Sequence, residues 1–507
     1  MSVQYALRPY QAEIGRAVLR SVLERQGLTF TVEIARQGGK NELSAQMEML
    51  LLTLNMASGG NLVKAAPTFV PQALISMRRL KDRLKDAGFP ESPRAGWVVE
   101  GGHVVRLHNA RQVFVSAERQ ANVVGLTANH LLELDEAQDV DAEKYLKEFR
   151  PMGASTNVTT VLYGTPWASG SLLEEQKQQN LELERKDGVR RHFRYDWEEV
   201  GRHNPLYRAY VAAERERLGE EHPLFRTQYR LLPLAGGGGM FSAAQRALLQ
   251  GDHARERRPQ PGKTYVAALD VGGESFGGSL TPALSQRERG ALFPSPLMGE
   301  GPSSGPLPVG EGAGEGSHDA TVLTIGELDF SRCGGVRQDP DVRVVEHYAW
   351  TGQPQHALLP QLAGLLKDVW RCRRVVVDAT GLGAGLASQL GKALGGVVEP
   401  FTFTAPSKSR LGFELLAAVN ARRLVMYAGD GSPEFAEFWR EVEQAGARFR
   451  PNQSMEFGVD ASRGHDDYLM SLALLVKAAE YLPRVARGRA GDSAPAERTG
   501  LVATGAA

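Results

Sequence analysis

The sequence predicts an α/β chain of two domains, the first on a mostly parallel sheet and the second on a mixed one. Three observations carry this. Residues 1–235 alternate short apolar strands with amphipathic helices, the pattern of a parallel sheet covered by helices. The run LAGGGGM at 234–240 then breaks the pattern with four consecutive glycines, a flexible joint or a tight loop. Strand-like runs resume at Thr264, and two of them end in an aspartate. A length of 507 residues exceeds what one core sustains and suits two or three domains.

In chain order, 10–25 has helical periodicity and 29–35 is short and β-branched, hence a strand. Residues 42–55 form an amphipathic helix, and 61–66, 113–116, 131–134 and 159–163 are further strands. The stretch 195–234 carries aromatic and charged residues at helical spacing and reads as a small helical subdomain. Its arginines suit either a solvated face or contact with DNA phosphates. Residues 275–317 hold ten Gly and six Pro in 43 positions. Such a segment cannot bury enough apolar surface to offset its ordering entropy. It contains an internal echo, PSPLMGEG then SGPLPVGEG, and reads as a disordered low-complexity insertion between two strands of a hairpin. The tail 483–507 is rich in Arg, Gly and Ala and is expected to be disordered.

Composition sets outer limits. Basic and acidic side chains balance at 59 each, so no whole-molecule attraction to nucleic acid is expected. Arginine outnumbers lysine 46 to 13, which suits phosphate forks but equally a GC-rich genome. Cys333 and Cys372 are too few for a disulfide framework or a zinc ribbon. No run of 18 apolar residues suggests a membrane span, and MSVQYALRPYQ shows no apolar leader core. A reducing, cytoplasmic setting is expected.

The first chemical constellation begins with TVEIARQGGKNELS at 31–44: a strand, a turn containing Gly38 and Gly39, and a helix starting near Lys40. Backbone N–H groups at such a helix start cradle phosphates, and the lysine reaches the outer ones. The early glycine of the usual pattern is replaced by Ile34, and Asn41 stands where a hydroxyl is usual. Alone, the segment could equally be a helix start after a Gly-rich turn. The second piece, LLELDEAQ at 131–138, is an apolar strand ending in Asp135 and Glu136. Two adjacent acids at a buried strand end are costly unless used. Asp135 would hold Mg²⁺ and Glu136 would polarise the attacking water. Glu133 interrupts the apolar run. The third piece, VTTVLYGTP at 158–166, ends a strand in Gly-Thr and adds Thr165 to the candidate nucleotide contacts. Together the three predict an ATPase. In LRPYQ, Gln11 follows an aromatic residue, as an adenine-reading glutamine does, or else it caps a helix.

The second constellation is three acids. Strand TYVAALD ends in Asp270, strand RVVVD ends in Asp378, and GHDDYLMSLAL opens an apolar helix with Asp466 and Asp467. Acids at two strand ends and a late acid at a helix start suit a nuclease of the RNase H-like class. That chemistry holds two divalent ions about 4 Å apart on hard carboxylate ligands, Mg²⁺ or Mn²⁺. His465 and Asp319 are secondary candidates, and His465 is more simply a cap or surface residue.

ARQGGKN with Arg36 inside the loop, the LDEAQ strand, the YGT strand and the ordered acids resemble the large terminase subunit of tailed bacteriophages, here as a prophage gene. The resemblance covers about residues 1–480 apart from the insertion. It implies a P-loop ATPase domain of the RecA type at 1–190, a linker subdomain at 191–240 and an RNase H-like nuclease at 241–482. It implies that Lys40 binds phosphates, Asp135 the metal and Glu136 the hydrolytic water, with Arg36 sensing the γ-phosphate. Asp270 and Asp378 would be the first two nuclease ligands and Asp467 the third, with Asp466 sharing its role. Arg119 would be either a finger reaching a neighbouring subunit or a solvated surface residue. The resemblance further implies ATP-driven packaging of double-stranded DNA, metal-dependent cutting of concatemers, a small terminase partner, a portal ring and a pentamer on it. Two alternatives stay open: a helicase-like ATPase–nuclease of repair or defence, and an inactive DNA-binding prophage remnant.

Overall fold

The structure is a computed structural model. It describes residues 6–480 except 168–169, 235–236, 273–319, 335–336 and 451. The expected insertion and tail, and Asp319, lie outside the described residues.

The first sheet comprises β1 (Thr29–Ile34), β2 (Gly60–Ala66), β3 (Trp97–Glu100), β4 (Val104–Leu107), β5 (Ala110–Ser116), β6 (Leu131–Leu134), β7 (Thr159–Gly164) and β8 (His192–Tyr195). Their order is β3-β4-β5-β2-β6-β7-β1-β8. Every pairing from β5 to β8 is parallel, and only β3 and β4 are antiparallel. The expected strands stand within a few residues of their predicted places. Not foreseen were β3, β4 and the helix Leu74–Asp86. The sheet also runs on past residue 190, because β8 pairs with β1. Alternate residues of each strand feed opposite cores, as the pleat requires. Leu62 and Val161 pack on one face with helices Pro9–Leu23 and Lys40–Leu54. Val63 and Leu162 pack on the other with Tyr145 and Phe149.

Helices Trp197–Arg202, Pro205–Leu218 and Pro223–Gln228 follow β8, as the helical spacing of 195–234 predicts. The glycine run is not simply a joint: β9 (Gly238–Gly239) is a short edge strand. Without side chains, these residues can lie close against a neighbouring backbone.

The second sheet comprises β10 (Thr264–Asp270), β11 (Ala320–Asp329), β12 (Asp341–Thr351), β13 (Val375–Asp378), β14 (Val398–Phe401) and β15 (Leu424–Val425). Its order, β14-β13-β10-β11-β12-β15, mixes parallel and antiparallel pairs. β10 and β11 pair antiparallel from Thr264↔Leu328 to Asp270↔Val322, the hairpin expected to span the insertion. One face carries Val266 and Ala268 against the apolar helix Asp467–Ala479. The other carries Tyr265, Ala267 and Leu269 against Trp370 and Leu386. A separate hairpin, β16 (Gly446–Phe449) and β17 (Met455–Gly458), pairs with β9. Among the described residues no helix is long and apolar enough to cross a membrane.

Candidate functional site

β1 delivers the chain into the loop 35–39, and the helix Lys40–Leu54 leaves it. The turn is tight at Gly39. Gly39 has φ +98, and a Cβ there would sit 2.5 Å from Gln11 Nε2. Gln11 is buried, and its amide makes two contacts within the fold. Nε2 donates to the Gly39 carbonyl at 2.9 Å, and Oε1 accepts from the Arg8 N–H at 2.9 Å. It therefore acts as a helix cap that braces the loop and is not among the residues lining the cleft. The first N–H groups of the helix from Lys40 have no acceptor within that helix and can serve an anion.

The cleft beside this loop has a volume of about 450 Å³. Arg36, Gly38, Gly39, Lys40, Asn41, Glu136 and Thr165 all line it. The sheet order explains how they meet. β7 lies between β1 and β6, so the acids at the end of β6 stand one strand away from the loop. Lys40 Nζ lies 3.4 Å from Glu136 Oε1. Glu136 has φ 46, a left-handed conformation that is uncommon for a side chain of this kind. Gln138 Nε2 donates to Glu136 Oε2 at 2.8 Å, and Gln138 Oε1 accepts from Thr165 N at 3.2 Å. Burial raises the Glu136 carboxyl, but Lys40, the Gln138 amide and Arg36 outweigh it and hold the group below the usual range. Asp135 is 5% exposed and accepts from Ser76 Oγ and from the Glu136 N–H. Burial raises its carboxyl, against the pull of Lys64.

Beneath the acids lies a buried polar cluster that only Glu133 signalled in the sequence. Lys64, Glu48 and Glu133 are 2%, 0% and 0% exposed. Lys64 Nζ stands 3.3 Å from Glu48 and donates to Ser44 Oγ at 2.6 Å. Ser44 and Tyr163 donate to Glu133 at 2.8 and 3.1 Å. Two carboxylates thus share one ammonium. Burial and the neighbouring Glu48 push Glu133 well above the usual carboxylate range. The interruption of the apolar strand is the core of this network.

The helical subdomain grips the loop from outside. Arg36 donates side chain to side chain to Gln228 at 2.6 Å, and backbone to backbone at 2.8 Å. Tyr207 donates its hydroxyl to the Arg36 carbonyl at 2.9 Å. The sequence offered no specific signal for Gln228 or Tyr207. Arg119 is largely exposed and pairs with Asp141 at 2.6 Å, away from the cleft lining.

Two acids of the second set stand at the ends of two adjacent inner strands of the second sheet. β10 and β13 run parallel with Leu269 opposite Val377, so the next residue on each strand is Asp270 and Asp378. Neighbouring strands lie about 4.8 Å apart. Asp467 opens the apolar helix and accepts from the Ala320 N–H at 2.9 Å, at the start of β11 and two residues before Val322, the partner of Asp270. Asp270, Asp378 and Asp467 are 8%, 8% and 7% exposed. Burial raises the Asp378 carboxyl, partly offset by Thr380. Asp466 points to a different neighbour, Lys408 Nζ, at 3.9 Å. Glu441, missed in the sequence, is buried nearby and accepts from Leu469 N–H at 2.8 Å. Hard oxygen donors at these strand ends and the helix start fit a divalent ion in type. Among the described residues, no three His, Cys, Asp or Glu side chains stand close enough together to hold one as they are.

Fold and sites define an α/β protein with a mostly parallel sheet that carries a cleft beside a Gly-containing strand-to-helix turn, and a mixed sheet with acids at the ends of two inner strands. No protein-family model matches the sequence, and no curated protein matches it. Among solved structures it is similar to the large terminase of a thermophilic bacteriophage, at 11% identity and TM-score 0.49, over 93% of this chain and 98% of that one. The large terminase of bacteriophage HK97 is similar at 15% identity and TM-score 0.36, over 94% and 95%. The cobalt-bound large terminase nuclease of thermophilic phage G20c is similar at 18% identity and TM-score 0.30, over 47% and 96%.

Proposed function

We propose that this chain is a phage large terminase subunit: an ATP-driven motor that moves double-stranded DNA into a procapsid and cuts concatemers with a metal-dependent nuclease. The observation that carries the reading is the cleft in which Lys40 and Glu136 face each other across the end of the first sheet. In this reading the N–H groups from Lys40 onward and the Lys40 ammonium receive the phosphates. Asn41 lines the cleft and Asp135 is buried at the end of β6 without lining it; in this reading both would hold Mg²⁺, which would neutralise charge on the phosphate oxygens. Glu136, kept ionised by Lys40, Gln138 and Arg36, orients the attacking water. When phosphates draw Lys40 away, Glu136 is released to accept from that water. Arg36 transmits the occupancy of the cleft to the helical subdomain through Gln228 and Tyr207.

At the second site Asp270, Asp378 and Asp467 would hold one or two Mg²⁺ or Mn²⁺ ions. The bound metal would activate water and stabilise the leaving oxygen of a phosphodiester. Asp466 is the weaker candidate, since its carboxylate faces Lys408. The partners of this reading are DNA, a small terminase subunit, a portal ring and four further copies in a pentamer, in the host cytoplasm. The domain limits proposed for it are those expected from the sequence, with β8 added to the motor. The helicase-like alternative loses support because it needs a second RecA-like domain, and the second sheet is mixed in direction. ATP binding followed by a fluorescent analogue tests the reading. Wild type is expected to bind with Mg²⁺, and Lys40→Ala to bind at least tenfold more weakly. Equal binding by both would remove Lys40 from its role.

A further inference from the structure

The nucleotide cleft is not built by the first domain alone. Gln453, at the turn of the β16–β17 hairpin, also lines it. Its φ is 61. Its side-chain amide donates to both carboxylate oxygens of Asp139, at 3.3 and 3.0 Å. Asp139 closes the short turn Ala137–Asp139 that follows Glu136. The Gln138 amide nitrogen is shared between Glu136 at 2.8 Å and Asp139 at 3.3 Å. The two N–H groups of that amide bridge the two carboxylates, and Gln453 supplies a further donor to one of them.

A second contact fixes the same hairpin. Trp167, just beyond Thr165, donates its indole N–H to the Arg450 carbonyl at 2.7 Å. Its ring meets Phe449 edge-on, 6.1 Å between centroids. The far end of the hairpin reaches Asp466: a Cβ on Gly458 would sit 2.5 Å from its Oδ2. One two-stranded element thus spans from the cleft to the residue that precedes Asp467.

We propose that Gln453 is a positioning residue of the nucleotide site, supplied in cis by the second domain. It holds Asp139 so that the Gln138 amide stays on Glu136 and keeps that carboxylate aimed. This rests on the reading that the cleft binds and hydrolyses ATP. Losing the Gln453 donor lets Asp139 draw Gln138 to itself, and Glu136 loses its orientation while phosphate binding at Lys40 is untouched. Loss of positioning therefore falls on kcat and not on KM.

The test is steady-state ATP hydrolysis by the full chain and by Gln453→Ala, Gln453→Glu, Asp139→Asn and the Gln453→Ala/Asp139→Asn pair. Gln453→Ala is expected to lower kcat about tenfold with KM within about twofold, the loss of one charge-assisted hydrogen bond. Gln453→Glu, which sets a carboxylate against Asp139, is expected to fall further. In the Asp139→Asn background, removing Gln453 is expected to change kcat less than about twofold, since the pair acts as a unit. A wild-type kcat in either Gln453 variant overturns the inference, and so does simple additivity with Asp139→Asn. Failure of the underlying reading looks different: wild type itself neither binds nor hydrolyses ATP, and the inference falls with it.

Discussion

Lys64→Met tests whether the polar cluster beneath the acids is a closed unit. Methionine approximates the lysine volume, so the change removes charge with little cavity. Lys64 is 2% exposed and contacts Glu48 at 3.3 Å and Ser44 at 2.6 Å. Removing one partner of a buried ionic set costs about 3–5 kcal/mol, because the other stays behind uncompensated. That is a large part of the roughly 5–15 kcal/mol that holds a domain folded. The loss should depend on pH. The Glu133 carboxyl is already raised by burial and by Glu48, and Lys64 is what pulls it down. Without the ammonium it rises further above its unfolded value near 4.5. A group raised in the folded state contributes stability that is present below the unfolded value and lost as pH climbs through the folded one. The variant should therefore lose more at pH 8.5 than at pH 5.5. Urea unfolding read by hydrogen exchange of β2 and β6 peptides measures the first sheet without assuming that the whole chain unfolds in one step. A loss under about 1 kcal/mol at pH 8.5, or one that does not shrink at pH 5.5, would refute the argument.

Gly39→Ala places a Cβ at φ +98 and 2.5 Å from Gln11 Nε2, so we expect nucleotide binding to fall with little change in the second domain's exchange protection. Unaltered ATP affinity would mean the loop tolerates another shape. His347 is enclosed by Tyr427, Phe438 and Tyr468, and burial pushes its imidazole down to about 3. A depressed group makes the unfolded state the better proton binder between that value and 6.5, so stability is lost as pH falls through this window. His347→Phe should flatten that acid loss in β12 hydrogen exchange, and an unchanged slope would assign it to other groups.

Periodicity made the parallel sheet legible, because strands covered on both faces are apolar runs and the helices between them are one-sided. The hairpin β3–β4 was not legible. Its residues Trp97–Leu107 alternate weakly, and nothing marks them as an edge addition. The acids at 135, 136, 270 and 378 stood out because each ends an apolar run. Side chains that reach a site from a distant element have no such local mark. Gln228 and Tyr207 look like ordinary surface residues of a helical stretch, and Gln453 like a turn residue. Their importance comes from packing between segments 171 to 314 residues apart. Gln11 fits two readings in the sequence, an adenine contact and a helix cap. In the fold its amide contacts the Arg8 N–H and the Gly39 carbonyl, the cap geometry. Glu133 was visible as an anomaly, but its partners Glu48 and Lys64 lie on other elements and merge into amphipathic patterns.

The central claim is that two separate chemistries sit on the two sheets of one chain. ATP hydrolysis and Mn²⁺-dependent plasmid cutting by the full chain, by Glu136→Gln and by Asp378→Asn measure it in one crossed experiment. Glu136→Gln is expected to lose ATP turnover and still cut, and Asp378→Asn to lose cutting and still hydrolyse ATP. Loss of both activities in either variant, or of neither, would contradict it.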